Sequence, residues 1–390
     1  MVKLFFNNFI SQNLKKNKDA QYLFYITLSL IIIGILAVSS CSPMVNINAP
    51  YSCINKHIIN IVLGFIFFLI ANKINYKKYQ NKSLFFFIIT TILLILPIFF
   101  PEHKGAHRWI DLKVFNFQPS EMVKIVLVIL MADFLARNKK TINTWTKNVF
   151  PISYIAVFCP IILFLQKDLG STALIFGVWA TMLFIAKIDT KRILLIILIA
   201  VLGVSVAIII KPYRRARVIT YVNQTIAMFS GDKEDPNTTK KLKKIDDDKY
   251  NSEIAFAAFG SGGLLGKGSG NSETKLQFLP EKQTDYIFPI IGEEYGLVGT
   301  LITVFLFIFF TMTSLSINKK CPDDFGKFLS FGITLIISGQ AIVNMGMTTG
   351  VLPAKGFPLP FISYGGSSML ANFYMVGILI NIARNNNKLL

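Results

Sequence analysis

YLFYITLSLIIIGILAVSS, residues 22–40, decides the class of fold. The run carries no charge, and about 20 apolar residues in a helix are enough to cross a bilayer's hydrocarbon core. It follows Lys15, Lys16 and Lys18, is long for the core of a signal peptide, and lacks a convincing small-x-small cleavage site. It therefore reads as a retained first span. Runs of the same kind recur near 57–72, 83–100, 119–136, 148–166, 169–186, 193–210, 286–317, 328–347 and 366–383. The expected fold is an all-α polytopic membrane protein of about ten transmembrane helices, with a large extracytoplasmic loop between helices 7 and 8.

The composition agrees, at 53% hydrophobic and 16% charged residues over 390 positions. A net charge of +19 would suggest nucleic acid in a soluble chain. Here Lys and Arg gather in the loops of one side (near 3–18, 73–82, 137–147, 187–192, 319–327 and 384–388) and are sparse in the short loops of the other. Cytoplasmic retention of positive loops produces that bias, and no nucleic-acid-binding motif accompanies it. Both termini are then cytoplasmic. Residues 1–21 form an N-terminal segment, 22–210 carry helices 1–7, 211–285 form the extracytoplasmic loop, and 286–390 carry helices 8–10. Within that loop, 231–250 is polar and charged and is expected to order poorly. Its Asp246–Asp248 cluster reads as solvated acid rather than a cation site. Cys41 and Cys53 fall in one short predicted loop, where a disulfide is conceivable in an oxidising compartment.

Several motifs carry chemistry. GSGGLLGKGSGNS (260–272) lacks the spacing of a phosphate loop, since Ser261 and Gly268 stand where Gly and Ser or Thr are needed. Its glycines admit either a tight turn or close backbone approach to an anion, with Lys267 assisting. Glu102, His103 and His107 offer too few ligands for zinc. Glu121 and Lys124 are i,i+3 at the start of the fourth span. They form an intrahelical ion pair, or Lys124 faces a polar cavity and partners an acid elsewhere. In LPEKQTDYIFPIIGEE (279–294), Asp285 can cap the following helix. Glu293 and Glu294 fall about two turns, roughly 12 Å, further along it, where at least one must face protein or water. GVLPAKGFPLPFISYGGSSML (350–370) has too much proline and glycine for a straight helix. Non-helical backbone at membrane depth survives inside protein or beside water, so a re-entrant segment is expected near 350–366. Its Lys355 suits an anionic group such as a diphosphate.

Five blocks occur together in the order found in the SEDS family, the FtsW and RodA proteins of bacterial cell-wall synthesis. They are HRWIDLKVFNFQPSEMVK (107–124), QKDLG (166–170), GSGGLLGKGSGNS, LPEKQTDYIFPIIGEE and PAKGFPLPFISYGGSS (353–368). The chain resembles that family from about residue 20 to its end. The resemblance implies a peptidoglycan glycosyltransferase of the bacterial cytoplasmic membrane. It would polymerise lipid II beside a class B penicillin-binding protein and other division or elongation proteins. The family's essential acid, in its T-D-[FY]-I-F context, falls on Asp285 as catalytic base. Lys355, Lys124 and Lys267 become candidates for the diphosphate, with Lys124 alternatively a counter-ion for Asp285. Glu121, Arg108, Glu293, Glu294, Asp168 and Ser363 become supporting residues. No cofactor is evident, and a divalent cation, Mg2+ or Mn2+, is left open.

Lys167 departs from the family's Q-P-D-L-G, which puts the turn at Asp168 in doubt, and 231–250 is no family signature. The septal FtsW branch is the better match, although LPEK and GFPLP lean toward the elongation branch. The rival reading, a lipid II flippase, needs a midplane site and internal repeats. No repeat is detectable, and Asp285 and Lys355 fall at an edge. A pure scaffold would leave those charges without purpose.

Overall fold

The computed structural model describes residues 17–45, 48–101, 107–111, 116–141, 158–159, 161–162, 166, 168–191, 194, 198, 246–275, 283–352 and 356–386, with main chain alone at 169 and 246–253. The described chain is mostly helical, with one antiparallel pair of two-residue strands and irregular stretches at 263–275 and 356–365. In order it forms α1 (Lys18–Val45), α2 (Ser52–Lys73), the short α3 (Lys77–Gln80), α4 (Ser83–Ile95) and the strands β1 (Ile110–Asp111) and β2 (Asn116–Phe117). There follow α5 (Pro119–Arg137), α6 (Leu169–Ile185), α7 (Asp246–Gly262), α8 (Ile287–Lys320), α9 (Asp324–Thr348) and α10 (Gly366–Asn386).

Among the described residues, α1, α2, α8, α9 and α10 are long and apolar enough to cross a membrane. α4, extended by a 3-10 turn at Leu96–Phe99, and α6 are shorter apolar helices. The chain is thus an all-α, multi-span membrane protein. The expected runs at 148–166 and 193–210 lie largely outside the described residues.

Local chemistry sets the helix boundaries. Asn17 Oδ1 accepts from the N–H groups of Asp19 and Ala20 at 3.0 and 3.2 Å, capping α1, and Asp19 complements the positive helix end. Pro119 opens α5, where its missing N–H costs no hydrogen bond. Asp323 caps α9 by accepting from the Gly326 N–H at 2.8 Å.

α5 is the central helix, with 16 of its 19 residues buried, and this is how one helix keeps Glu121 and Lys124 out of lipid. α10 is almost wholly enclosed. Its Gly377 lets the Phe68 carbonyl and Ala71 of α2 approach closely, and Gly64 of α2 makes room for Phe373. In contrast α2, α4 and α8 carry exposed apolar stripes, such as Leu301, Ile302, Phe305, Ile308, Phe309 and Met312 on α8. Between helices, exposed apolar side chains of this kind belong against hydrocarbon rather than water.

Two expectations need correction. Cys41 and Cys53 lie inside α1 and α2, buried, and both are free thiols. Asp246–Asp248 and the residues after them begin the 17-residue α7 instead of remaining irregular. Among the described residues no group of three or more His, Cys, Asp or Glu gathers as a metal cage.

Candidate active site

α8 is not one helix. Gly296 takes φ 65°, ψ −160° and breaks it between a nine-residue arm, Ile287–Tyr295, and the long apolar stretch beyond. Such a break frees two N–H and two C=O groups, which cannot stay unpaired at membrane depth. The glycine-rich turn after α7 takes them up. Lys267 N–H donates to the Glu293 carbonyl at 2.9 Å and Gly268 N–H to that of Glu294 at 3.0 Å. In return Leu297 N–H donates to Gly263 O at 2.9 Å and Val298 N–H to Leu264 O at 3.2 Å. A Cβ on Gly266 or Gly296 would collide with the opposing main chain, and both residues have positive φ. Gly262 and Gly266 thus serve close main-chain approach to the α8 arm. Glu293 and Glu294 are both buried in protein at the break, and lipid-facing exposure on α8 begins only at Leu297.

Asp285 sits just before the arm. The N-cap residue of α8 is Tyr286, whose own side chain makes no cap bond, one residue after the cap expected at Asp285. The Asp285 carboxylate lies against Gly356, where any side chain would strike Oδ2. Asn344 of α9 joins the two segments, its Nδ2 donating to the Asp285 carbonyl at 2.9 Å and also to the Phe357 carbonyl. Ser363 adds a second staple. Its Oγ accepts from Leu359 N–H at 2.7 Å and donates to the Thr284 carbonyl at 2.5 Å, and Tyr364 N–H donates to the Gln283 carbonyl at 2.8 Å.

Residues 356–365 therefore run as irregular chain inside the bundle. Phe361 and Ile362 lie against Gly34 of α1, and Gln340 Nε2 donates to the Pro358 carbonyl at 2.9 Å. Lys355 itself lies outside the described residues.

Lys124 is 1% exposed. Its Nζ pairs with Glu121 Oε1 at 2.7 Å and donates to Gln340 Oε1 at 3.0 Å. Of the two readings of Lys124, the intrahelical pair with Glu121 is the one observed; its contact to another helix is with the neutral amide of Gln340, not with an acid. Gln340 and Asn344 stand one turn apart on α9, about 6 Å in rise, so they connect the Lys124 pair to Asp285.

Arg108 and Asp168 form a second group. Arg108 Nε donates to the Gln166 carbonyl at 2.6 Å, while Asp168 caps α6 through the Ser171 N–H at 3.2 Å and hydroxyl at 2.7 Å. Lys267 pairs with Glu293 at 2.9 Å and Glu273 at 3.4 Å, and its hydrogen bond to Glu293 holds its ammonium above the usual lysine range. His107 Nδ1 lies 2.9 Å from the Phe100 carbonyl, while Glu102 and His103 lie outside the described residues.

Sequence reasoning missed Gln340, Asn344, Ser272 and Lys275. A signal existed for the first two, because amide side chains spaced i,i+4 within an apolar run must find partners in the bundle.

A family model of the FtsW, RodA and SpoVE cell cycle proteins matches residues 20–388. The probable peptidoglycan glycosyltransferase FtsW of Geobacter metallireducens is 33% identical over 362 residues, covering 91% of this chain and 92% of that one. Its counterpart in Coxiella burnetii is 31% identical, covering 92% and 94%, and the stage V sporulation protein E of Bacillus subtilis is 30% identical, covering 95% and 98%. Among solved structures, a peptidoglycan synthase complex that coordinates polymerization and crosslinking contains a similar chain, with TM-score 0.75 and 21% identity over 93% of this chain and 97% of that one. The rod shape determining protein RodA of Thermus thermophilus gives TM-score 0.67 and 19% identity over 93% and 96%. With the fold, the motifs and nearly the whole length in common, this chain belongs to the FtsW/RodA/SpoVE family.

Proposed function

We propose that this protein is an inverting peptidoglycan glycosyltransferase of the division type, polymerising lipid II at the extracytoplasmic face of the bacterial cytoplasmic membrane. The observation that carries the reading is the placement of Asp285. Its carboxylate lies against Gly356 at the seam between the α8 arm and the 356–365 segment, on main chain that Asn344 holds at the Asp285 carbonyl and Ser363 at the Thr284 carbonyl. Relatives that are 31–33% identical are named as probable peptidoglycan glycosyltransferases.

In this mechanism Asp285 takes the proton from the acceptor's GlcNAc 4-hydroxyl as that oxygen attacks MurNAc C1 of the growing chain. The bond from C1 to the lipid diphosphate breaks and the diphosphate leaves with the electron pair. Lys355, adjacent to Gly356, is the candidate cation for that charge. Lys124, neutralised by Glu121, and Lys267, neutralised by Glu293, act on the framework, and Arg108 and Asp168 shape the neighbouring surface. A Mg2+ or Mn2+ ion needs one or two protein carboxylates when substrate phosphates supply other ligands, and Asp285 can provide one.

Both termini lie in the cytoplasm on this reading, and a class B penicillin-binding protein is the expected partner. The test is glycan synthesis from lipid II by the protein with that partner, wild type against Asp285→Asn. Chains from the wild type and none from the variant are expected. Equal synthesis by both would refute the role of Asp285, and synthesis by neither would return attention to lipid II translocation in vesicles.

A further inference from the structure

Glu293 is saturated with donors. Its Oε1 accepts from Lys267 Nζ at 2.9 Å, Glu273 N–H at 3.0 Å and Ser261 Oγ at 3.3 Å. Its Oε2 accepts from Ser272 Oγ at 2.5 Å and Thr274 N–H at 3.2 Å. Every donor comes from residues 261–274. Next along the chain, Glu294 Oε1 accepts from Lys275 Nζ at 2.9 Å and from the Ser40 hydroxyl of α1. Lys275 Nζ also donates to Ser40 Oγ at 2.8 Å and to the Gly270 carbonyl at 2.5 Å. The side chains of Glu293, Glu294 and Lys275 are 1%, 0% and 3% exposed.

Burying three charges is expensive, and apolar packing often stabilises as well or better. The arrangement must therefore do something apolar packing cannot. Its geometry says what. Ser272 and Glu293 lie 21 residues apart, and Asp285 is on the chain between them. Closing that loop at its base removes conformational freedom from everything it contains. The closure is also directional, because two backbone N–H groups and two hydroxyls on one carboxylate fix orientation as well as distance.

We infer that Glu293 and Glu294, with Lys275, form a clasp that positions Asp285. The clasp holds the 261–275 segment against the α8 arm and against Ser40 of α1. The three are positioning residues and do not touch the reacting atoms. The inference rests on the proposed role of Asp285 for its catalytic consequence, but not for its structural one.

The test uses Glu293→Gln in the full-length protein with its penicillin-binding partner. The variant is isosteric, yet either amide orientation turns an NH2 group toward donors. We expect kcat for lipid II polymerisation to fall at least tenfold, KM to stay within twofold, and the acidic limb of the pH profile to stay in place. A second measurement needs no activity: a nitroxide on Gln283→Cys, in a Cys159→Ala background, should gain mobility in Glu293→Gln and in Lys275→Met.

Unchanged kcat together with an unchanged nitroxide spectrum would overturn the inference. So would a displaced acidic limb, which would make Glu293 itself the proton carrier. A fall in kcat matched by collapse of the melting temperature would reduce the clasp to general stability. If the wild type makes no glycan, the glycosyltransferase reading fails, and the nitroxide comparison still decides the clasp.

Discussion

At the scale of single residues, the sharpest consequences come from charges without water. Glu121→Ala would leave Lys124 buried and unpaired, which costs about 3–5 kcal/mol. A large drop in melting temperature in detergent should follow, and adding Lys124→Met should restore most of it. Gly356→Ala tests the site directly, since its methyl would press on the Asp285 carboxylate. Displacements of about 1 Å at a reacting group can cost on the order of 100-fold in rate. We therefore expect strongly reduced glycan synthesis with little change in melting. Burial pushes the Cys321 thiol up to about 11, with Asp323 adding to the shift. Its folded value exceeds the unfolded one, so the stability it contributes is complete below about pH 8.5 and is lost as pH rises toward 11. Maleimide should leave it unmodified at pH 7.5 until the protein is unfolded. Lys267 follows the same sign, its contribution staying constant below the ordinary lysine range near pH 10.4. Asp285, Lys124 and Glu121 were legible as residues because charge inside apolar sequence stands out. Lys275 was not, because in a polar loop one lysine looks like any other until the fold buries it.

At the scale of elements, the apolar runs located the helices well, since hydrocarbon thickness imposes a length that composition reveals. The expected span at 119–136 is α5 (Pro119–Arg137), and the run at 286–317 is α8. What composition could not show was the break inside α8. IFPIIGEEYGLVG has the apolar character of a continuous helix, and only the pairing of Gly296 with a distant glycine turn makes the break affordable. Gly296→Ala should thus be costly in two ways, adopting a backbone conformation that is essentially reserved for glycine, at about 1–3 kcal/mol, and colliding with the Gly266 and Leu264 main chain. Lower melting temperature and lost synthesis should appear together, in contrast to Gly356→Ala. The irregular 356–365 segment was legible from its prolines and glycines, but its partners were not. They lie on α1, α9 and the chain before α8, and no local pattern names them.

At the scale of the whole molecule, the membrane class followed from composition and the family from five motif blocks. The arrangement of helices did not, because α10 and α2 are distant in sequence and meet through glycines whose role depends on the neighbour. The proposed orientation can be checked by cysteine labelling in sealed vesicles. Gln283→Cys and Leu265→Cys should react with an impermeant reagent from the extracytoplasmic side, and Lys139→Cys only after the membrane is opened. One further consequence lies in the enclosure of α10. It is the least hydropathic of the five spanning helices, the most buried, and the last described helix along the chain. Asn381 meets Asn72 and Tyr76, and Ser367 meets Asn116 and Gln118, all on chain made earlier. During synthesis, then, α2, the strand pair and the central α5 are all made before α10, so the slot that α10 fills is walled before its occupant emerges.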